Sequence, residues 1–233
     1  MTPPRVLCVD TATPIAVVGL CLGRETVAEE RMTSKRDHAE RLLSTVETLL
    51  AQANWRLADL DALVVGVGPG SFIGVRIGVA TVKGLALGCG RPVFGVSTPA
   101  MLALSTAEVG RVAVAMDAKK GQVYASVHQL TAAGEVESNP LPSTALDPEP
   151  CARILLSLGP LAARVGDGFE RYADAFTSMQ QVPLRHHAPG ASSLAVQALP
   201  RVLAGADDEL GSLEPFYARR SEAEEIAERR RTT

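Results

Sequence analysis

The sequence predicts an α/β protein built from two similar halves, each with a mixed sheet. Each half begins with two β-branched runs that flank a polar turn opening on an aspartate, Asp10 in the first half and Asp117 in the second. After the first hairpin, strands and helices alternate, and a continuous apolar run leads through a glycine-rich turn into a helix. A hairpin followed by alternating strands and helices is typical of a sheet with both antiparallel and parallel pairs.

The first half covers residues 1–107 and carries the denser pattern. Its strands are β-branched or apolar runs bounded by turn residues, and its helices have apolar residues at spacings of three and four. Ser34 or Asp37 is the expected cap of the first helix, and Ser71 of the second. The predicted strands are Arg5–Val9, Ile15–Leu22, Thr26–Met32, Ala62–Val67 and Pro92–Val96, and the predicted helices are Ala39–Ala53, Ser71–Leu87 and Thr98–Ala107.

The second half covers residues 108–233 and is reduced, and we expect its last helix to pack back on the first half. The segment Ser138–Pro150 is rich in proline and is interpreted as a loop. The tail Arg219–Thr233 mixes arginine with glutamate and is interpreted as a solvated end. The predicted strands are Val112–Met116, Gln122–Gln129 and Ala163–Gly166, and the predicted helix is Ser192–Leu203.

The composition excludes several classes of protein. With 233 residues, 46% of them hydrophobic, the chain can bury a core, and its net charge of −3 does not indicate nucleic-acid binding by bulk charge. The cysteines form no Cys-x-x-Cys pair, so buried thiols in a reducing cytoplasm are favoured over disulfides or metal ligands. We expect no signal peptide, because the amino terminus turns to Asp10 and Thr11 after only a few apolar residues, and no membrane span, because no stretch of about twenty uncharged apolar residues is present. The cysteines are Cys8, Cys21, Cys89 and Cys151.

The glycine-rich stretch Gly66–Gly78 resembles a phosphate-binding turn but matches neither standard motif. A P-loop requires Lys-Ser or Lys-Thr after its last glycine, whereas Val75 and Arg76 follow Gly74. A dinucleotide fingerprint requires a third glycine where Ile73 stands. The open helix N-terminus behind Ser71 is nevertheless a physical basis for holding an anion.

The spacing of Gly70, Gly74 and Gly78 leaves two interpretations open. A glycine inside a helix costs about 1 kcal/mol relative to alanine, so two of them indicate a compensating close approach of another backbone. That backbone belongs either to this chain, as internal packing, or to a helix of a second protein.

Two halves that each start with a hairpin around an aspartate suggest a duplicated fold with a cleft between the halves. This arrangement is similar to that of the actin, hexokinase and Hsp70-like (ASKHA) ATPase superfamily. ATPases of this type hold phosphates in glycine-containing hairpin turns. Here the first turn has no glycine, and Lys119 and Lys120 precede Gly121 in the second. Asp10 and Asp117 either hold a magnesium ion through water or stabilise their turns, and ordinary turn preferences favour the second role.

Several motifs resemble the bacterial TsaB (YeaZ) family, most densely over residues 5–125. Ile73 departs from the usual threonine of that family, and Ala218 from the commoner leucine. The motifs that carry the resemblance are Val9–Thr13, Arg36–Leu43, Leu60–Ala62, Gly68–Phe72, Gly74–Gly78, Lys83–Ala86, Gly121–Ala125 and Pro215–Arg220.

The resemblance implies a non-catalytic subunit in the formation of N6-threonylcarbamoyladenosine next to the anticodon of tRNAs that read codons beginning with A. The implied partners are TsaD, a paralogue that transfers the threonylcarbamoyl group, and TsaE, a small ATPase. The resemblance implies that this chain contacts tRNA only indirectly, through the complex. TsaD carries a His-x-x-x-His metal pair where this chain has Thr98 and Leu102. We therefore expect no catalytic residue, no metal and no cofactor bound by this chain alone, although ATP or ADP is compatible with the complex boundary.

The resemblance also implies that two helices of this chain pack against the matching pair of TsaD, and that the isolated protein pairs with itself. Glu40, Arg76 and Lys83 are expected at the rim of that contact. Two alternatives are an ATP-dependent small-molecule kinase of the same superfamily and a glycoprotease-like peptidase. The expected interface residues are His38, Glu40, Leu43, Val46, Leu50, Ser71, Gly74, Val75, Arg76 and Gly78.

Overall fold

Two five-stranded sheets with one shared strand order form the protein. The computed structural model describes residues 2–33, 37–186, 189–206 and 210–218, without the side chains of residues 37–39. The first half contains β1 (Arg5–Asp10), β2 (Ala16–Leu22), β3 (Glu25–Met32), α1 (Asp37–Gln52), β4 (Ala62–Gly66), α2 (Phe72–Cys89), β5 (Val93–Val96) and α3 (Thr98–Leu104). The second contains β6 (Gly110–Lys119), β7 (Gln122–Leu130), β8 (Val136–Leu146), α4 (Pro148–Ser157), β9 (Ala163–Val165), α5 (Asp167–Arg171), β10 (Leu184–Arg185) and α6 (Ala191–Leu203).

The strand orders show the duplication directly. The first sheet runs β3-β2-β1-β4-β5 and the second, read from its other edge, β8-β7-β6-β9-β10. In both, a hairpin meander is antiparallel and the next two strands join in parallel. This repeat confirms the predicted duplicated α/β fold of the actin, hexokinase and Hsp70-like type.

The first sheet is covered on both faces, which explains why its strands are continuously apolar. Val6 and Cys8 of β1 pack in one core cluster with α3 and α6, whereas Leu7 and Val9 pack in another with α1 and α2. Helix α6 comes from the end of the chain but lies against the strands of the first sheet.

The interpretation of Ser138–Pro150 as a loop is wrong. Strand β8 occupies Val136–Leu146 and α4 begins at Pro148. Strand β8 is an edge strand that pairs only with β7, through several register shifts. Pro140 and Pro142 are tolerated there because an edge strand does not need all of its N–H groups for pairing.

The cysteines have the predicted structural role. Cys8, Cys21 and Cys151 are buried, Cys89 is half-buried, and all four are free thiols. Burial raises the pKa of Cys151 to about 12, so this thiol is protonated at neutral pH.

Helix α2 has an unusual composition for a helix on a sheet. Within the described residues it is the one helix that is long and apolar enough to span a membrane by length and composition, with a mean hydropathy of 1.5 over 18 residues. It carries Arg76 and Lys83, and a face that includes Val75 and Val79 is buried against the sheet. Other apolar side chains of α2, such as Ile73 and Leu87, do not contribute to this core and remain exposed.

Candidate functional site

Helix α2 begins where the sequence predicts. Ser71 is its cap, and the Ser71 Oγ accepts a hydrogen bond from the backbone N–H of Gly74 at 3.2 Å. The backbone N–H of Ser71 donates to the carbonyl oxygen of Ala12 at 2.7 Å. The start of α2 is thus tied to the turn between β1 and β2.

The glycines of this junction serve packing within the chain. A Cβ added at Gly78 would lie 2.5 Å from Thr11 Oγ1, and one at Gly70 would lie 2.9 Å from the Cβ of Ala12. At Gly74 an added Cβ would overlap the carbonyl oxygen of Thr11, and Thr11 Oγ1 donates to the Gly74 carbonyl at 2.6 Å. Of the two interpretations left open by the sequence, the structure selects internal packing.

This placement corrects half of the expected interface. Gly74, Val75 and Gly78 of α2, and Val46 and Leu50 of α1, are buried in the protein's own core. Residues packed against their own sheet present no surface to a second chain. Their apolar character and helical spacing are the same for a core face and for a docking face, so sequence alone assigned them to the wrong side.

The exposed side of α2 carries a second row of small and apolar residues. Ile73 is 70% exposed and Leu87 71% exposed. Among the described residues, a Cβ at Gly84 or Gly88 would meet no atom within 4 Å beyond the adjacent residues and the helix's own backbone. We call this row the outer face of α2, consisting of Ile73, Ala80, Gly84, Leu87 and Gly88. The four-residue spacing of Ala80, Gly84 and Gly88 is the sequence signal for this face. The predicted interface instead followed the same spacing at Gly74 and Gly78.

Four of the other five predicted interface residues fall into three groups. Glu40 and Leu43 are exposed on α1, as an interface requires. Ser71 is exposed, but its hydroxyl oxygen is engaged in the helix cap. The side chain of His38 lies outside the described residues.

Arg76 is exposed but is held by contacts within the chain. Its guanidinium lies 3.8 Å from the centre of the Phe72 ring, and its Nε donates to the Tyr217 hydroxyl at 2.8 Å. The rings of Phe72 and Tyr217 are 5.1 Å apart. Phe216 is fixed by its N–H, which donates to the carbonyl of Val67 at 2.7 Å. Residues 210–218 thus pack along α2, and their two aromatic residues, Phe216 and Tyr217, join Phe72 at its start.

Asp10 is fully buried at the carboxyl end of β1. Its carboxylate accepts hydrogen bonds from Thr98 Oγ1 at 2.6 Å and from the N–H of Ala12 at 2.8 Å. A side chain at Gly66 would overlap this carboxylate. Burial raises the pKa of Asp10 to about 6, against the opposing effect of the Thr98 hydrogen bond. Both carboxylate oxygens are engaged by the protein itself, as expected of a turn-stabilising aspartate.

The buried carboxyl of Asp10 gives a pH dependence of known sign. Because its folded pKa of about 6 lies above the ordinary value of 3.8, the folded state binds the extra proton between these values, and stability falls as pH rises through that window. We expect the free energy of unfolding of Asp10→Asn to lack about 3 kcal/mol of this change with pH. The substitution also has an effect on stability that does not depend on pH, and this effect does not alter the slope. Urea unfolding between pH 4 and 7 measures it, with the exposed Glu137→Gln as control. An unchanged slope in Asp10→Asn would contradict the assignment.

Asp117 occupies the equivalent place in the second half and has the opposite pKa shift. Burial raises its pKa, but hydrogen bonds from Lys119 and Tyr172 outweigh burial and hold it below the ordinary value. Lys119 and Arg171 both form ion pairs with it. Cations of the chain itself therefore neutralise this carboxylate.

A cleft of about 380 Å³ separates the two hairpin turns. The start of α2 forms one wall, with Ser71, Phe72 and Ile73, and the β6–β7 turn forms the other, with Asp117 and Lys119. Lys119 and Lys120 have φ angles of 63° and 52°, so lysine side chains stand where a glycine would be favoured. The cleft predicted from the duplication is present.

The histidines do not assemble a site in the described residues. His128 is buried with its Nε2 3.0 Å from Ser126 Oγ, and burial lowers its pKa to about 4. His186 pairs with Glu170 at 2.7 Å. His187 lies outside the described residues.

Comparison with known proteins identifies the family. The family model for TsaD, tRNA N6-adenosine threonylcarbamoyltransferase, matches residues 26–146. The Escherichia coli protein named tRNA threonylcarbamoyladenosine biosynthesis protein TsaB is 40% identical over 128 residues, which cover 54% of this chain and 55% of that protein. The Bacillus subtilis protein of the same name is 37% identical over 127 residues, or 53% and 55% of the two chains. The chain thus matches about half the length of these relatives.

The solved structures extend the match over nearly the whole chain. YeaZ from Pseudomonas aeruginosa superposes with a TM-score of 0.78 at 32% sequence identity, and the alignment covers 92% of this chain and 99% of that one. The sequence motifs, the duplicated strand order and this superposition agree, and the chain belongs to the TsaB (YeaZ) family.

Proposed function

We propose that this protein is a non-catalytic subunit that acts with TsaD and TsaE in forming N6-threonylcarbamoyladenosine on tRNA. The observation that carries the proposal is the outer face of α2, an apolar surface where a Cβ added at Gly84 or Gly88 would meet no atom of the other described elements within 4 Å. A helix with exposed leucine, isoleucine and glycine is suited to close contact with another helix. The names of the E. coli and B. subtilis relatives support the pathway.

The proposed lack of catalysis is supported by how the chain uses its own acids. Asp10 is engaged by Thr98 and the turn backbone, and Asp117 by Lys119, Arg171 and Tyr172. The Ser71 hydroxyl oxygen accepts the helix-capping N–H. These groups stabilise the fold in the positions where an ATPase or hydrolase needs reactive side chains.

The partner that fits the outer face is TsaD, a paralogue of the same fold. Its matching helix pair would pack across α2 at Gly84, with Leu43 of α1 beside it. Without TsaD, the same face of a second copy is the natural substitute, so the isolated protein forms a homodimer. We place the reaction in the cytoplasm, and ATP or ADP, where needed, at the boundary of the complex.

Reconstitution tests the proposed function. The purified chain alone is expected neither to hydrolyse ATP nor to modify tRNA. Addition of TsaD, TsaE and threonylcarbamoyl-AMP is expected to give threonylcarbamoyladenosine, measured by mass spectrometry of digested tRNA, and omission of this chain is expected to lower the yield at least about tenfold. Robust ATP turnover by the chain alone, with substitution of Asp10 abolishing it, would instead support a kinase.

A further inference from the structure

We propose that the mouth of the interdomain cleft binds a single-stranded RNA segment, with bases stacked on the aromatic rings at the start of α2 and phosphates on the cations of the β6–β7 turn. The choice of RNA rests on the proposed function. The positions of the rings and of the cations come from the structure alone.

The aromatic side of the mouth is a concentration of exposed rings. The chain has nine aromatic residues, five Phe, three Tyr and one Trp. The three that are well exposed, Phe72, Phe216 and Tyr217, all lie at the start of α2. Exposed aromatic rings cost free energy in water unless a partner covers them, and any nucleobase offers a flat face to cover them. We call these three residues the aromatic lip.

Arg76 prepares the aromatic lip for stacking. Its guanidinium covers one side of Phe72 at 3.8 Å and lies 5.8 Å from the centre of the Tyr217 ring. A ring held by a cation loses little conformational freedom when a base arrives, and the cation also favours a nearby phosphate.

The opposite side of the mouth carries an exposed cation. The Lys119 side chain is 63% exposed, whereas the side chain of Asp117, its ion-pair partner, is only 3% exposed. Of this pair, the negative charge is therefore buried and the positive charge reaches solvent. We call Lys119 the basic lip.

One ring of the aromatic lip and the basic lip share a cleft. Phe72 and Lys119 line the same cavity of about 380 Å³, together with Asp117 and Asp167. A groove with stacking rings on one side and cations on the other is the arrangement by which proteins hold single strands without reading sequence. A purely apolar protein partner would need the rings but not the basic lip, so the observations favour RNA. Because the chain has a net charge of −3, the affinity depends on these local groups.

Fluorescence anisotropy with a labelled unstructured 12-nucleotide RNA and the purified chain tests the proposal at low salt. Phe72→Leu removes the aromatic face and keeps an apolar side chain, and we expect it to weaken binding about tenfold, because a base that stacks on the ring loses that contact. Tyr217→Leu is a second variant with the same expectation. Lys119→Gln is expected to reduce the salt dependence by about one phosphate contact.

Val109→Ala is the matched control, because Val109 is an exposed apolar residue of the second half away from the cleft. It is expected to bind RNA as the unaltered chain does, and circular dichroism checks that every variant is folded. Absence of RNA binding at low salt, or equal affinity of Phe72→Leu and the unaltered chain, overturns the proposal. Loss of TsaD binding by Phe72→Leu with RNA binding unchanged also overturns it and assigns the aromatic lip to a protein contact. Because the assay uses the isolated chain, its result is independent of the reconstituted reaction.

Discussion

Gly74→Ala is expected to destabilise the protein by about 3 kcal/mol, although alanine is the better helix former. The new methyl group would overlap the carbonyl oxygen of Thr11, which is backbone and cannot rotate away. The turn between β1 and β2 would have to move off α2, weakening the hydrogen bond from Thr11 Oγ1 to Gly74 and the one from Ser71 to Ala12. A loss of this size is a large share of the 5–15 kcal/mol that stabilises a typical domain.

Gly84→Ala in the same helix is the matched control. In the part of the chain that the structure describes, a Cβ at Gly84 meets no atom within 4 Å outside its own stretch of helix, so the substitution adds helix propensity without a clash. We expect it to stabilise the isolated chain by about 0.5–1 kcal/mol. Urea unfolding followed by circular dichroism gives both values. Equal changes in the free energy of unfolding at the two positions would show that Gly74 of α2 does not pack against the β1–β2 turn.

Gly84→Leu is expected to weaken binding to TsaD at least about 100-fold while leaving the chain folded. Gly84 lies in the middle of the outer face, where the absence of a side chain lets a partner helix approach closely. A leucine there would separate the two backbones and undo the packing of Ile73 and Leu87 at either end of the contact. Titration calorimetry with purified TsaD measures the affinity, and tRNA modification is expected to fall in parallel.

Ser157→Leu is the control for this experiment, because it places the same side chain at an exposed position at the end of α4 in the second half. It is expected to bind TsaD normally. Full affinity in Gly84→Leu would assign the docking surface to another part of the protein, whereas weak affinity in both variants would point to a general loss of structure.

The elements with strong local signals were predictable. The first hairpin, the amphipathic α1, the cap of α2 at Ser71 and helix α6 lie within a few residues of their expected bounds. Strand β8 was missed because Pro140 and Pro142 give a loop signal in any local analysis. Their tolerance depends on the position of β8 at the edge of its sheet, and edge position is a property of the assembled sheet.

The candidate site shows the same division. The motif around Gly74 correctly marked a place where backbones come close. The backbone that fills the space is the β1–β2 turn, and its residue Thr11 lies 63 residues away from Gly74 in sequence. The outer face of α2 and the aromatic lip require knowledge of which residues the sheet and residues 210–218 already cover. Tyr217 meets Phe72 and Arg76 across about 140 residues of chain, a distance over which local sequence carries no information.

By itself, the sequence determined the duplicated α/β fold, the helix cap, the buried thiols and the family, because each follows from local patterning or from motifs of fixed spacing. The tertiary structure alone decided which face of α2 is core and which is surface, and whether Asp10 and Asp117 have free oxygens. A helix with apolar residues on both sides is compatible with either orientation in water. The close fit of Thr11 against Gly74 and Gly78, together with the burial of Val75 and Val79 in the core, fixes one of them and turns Gly84 and Gly88 outward.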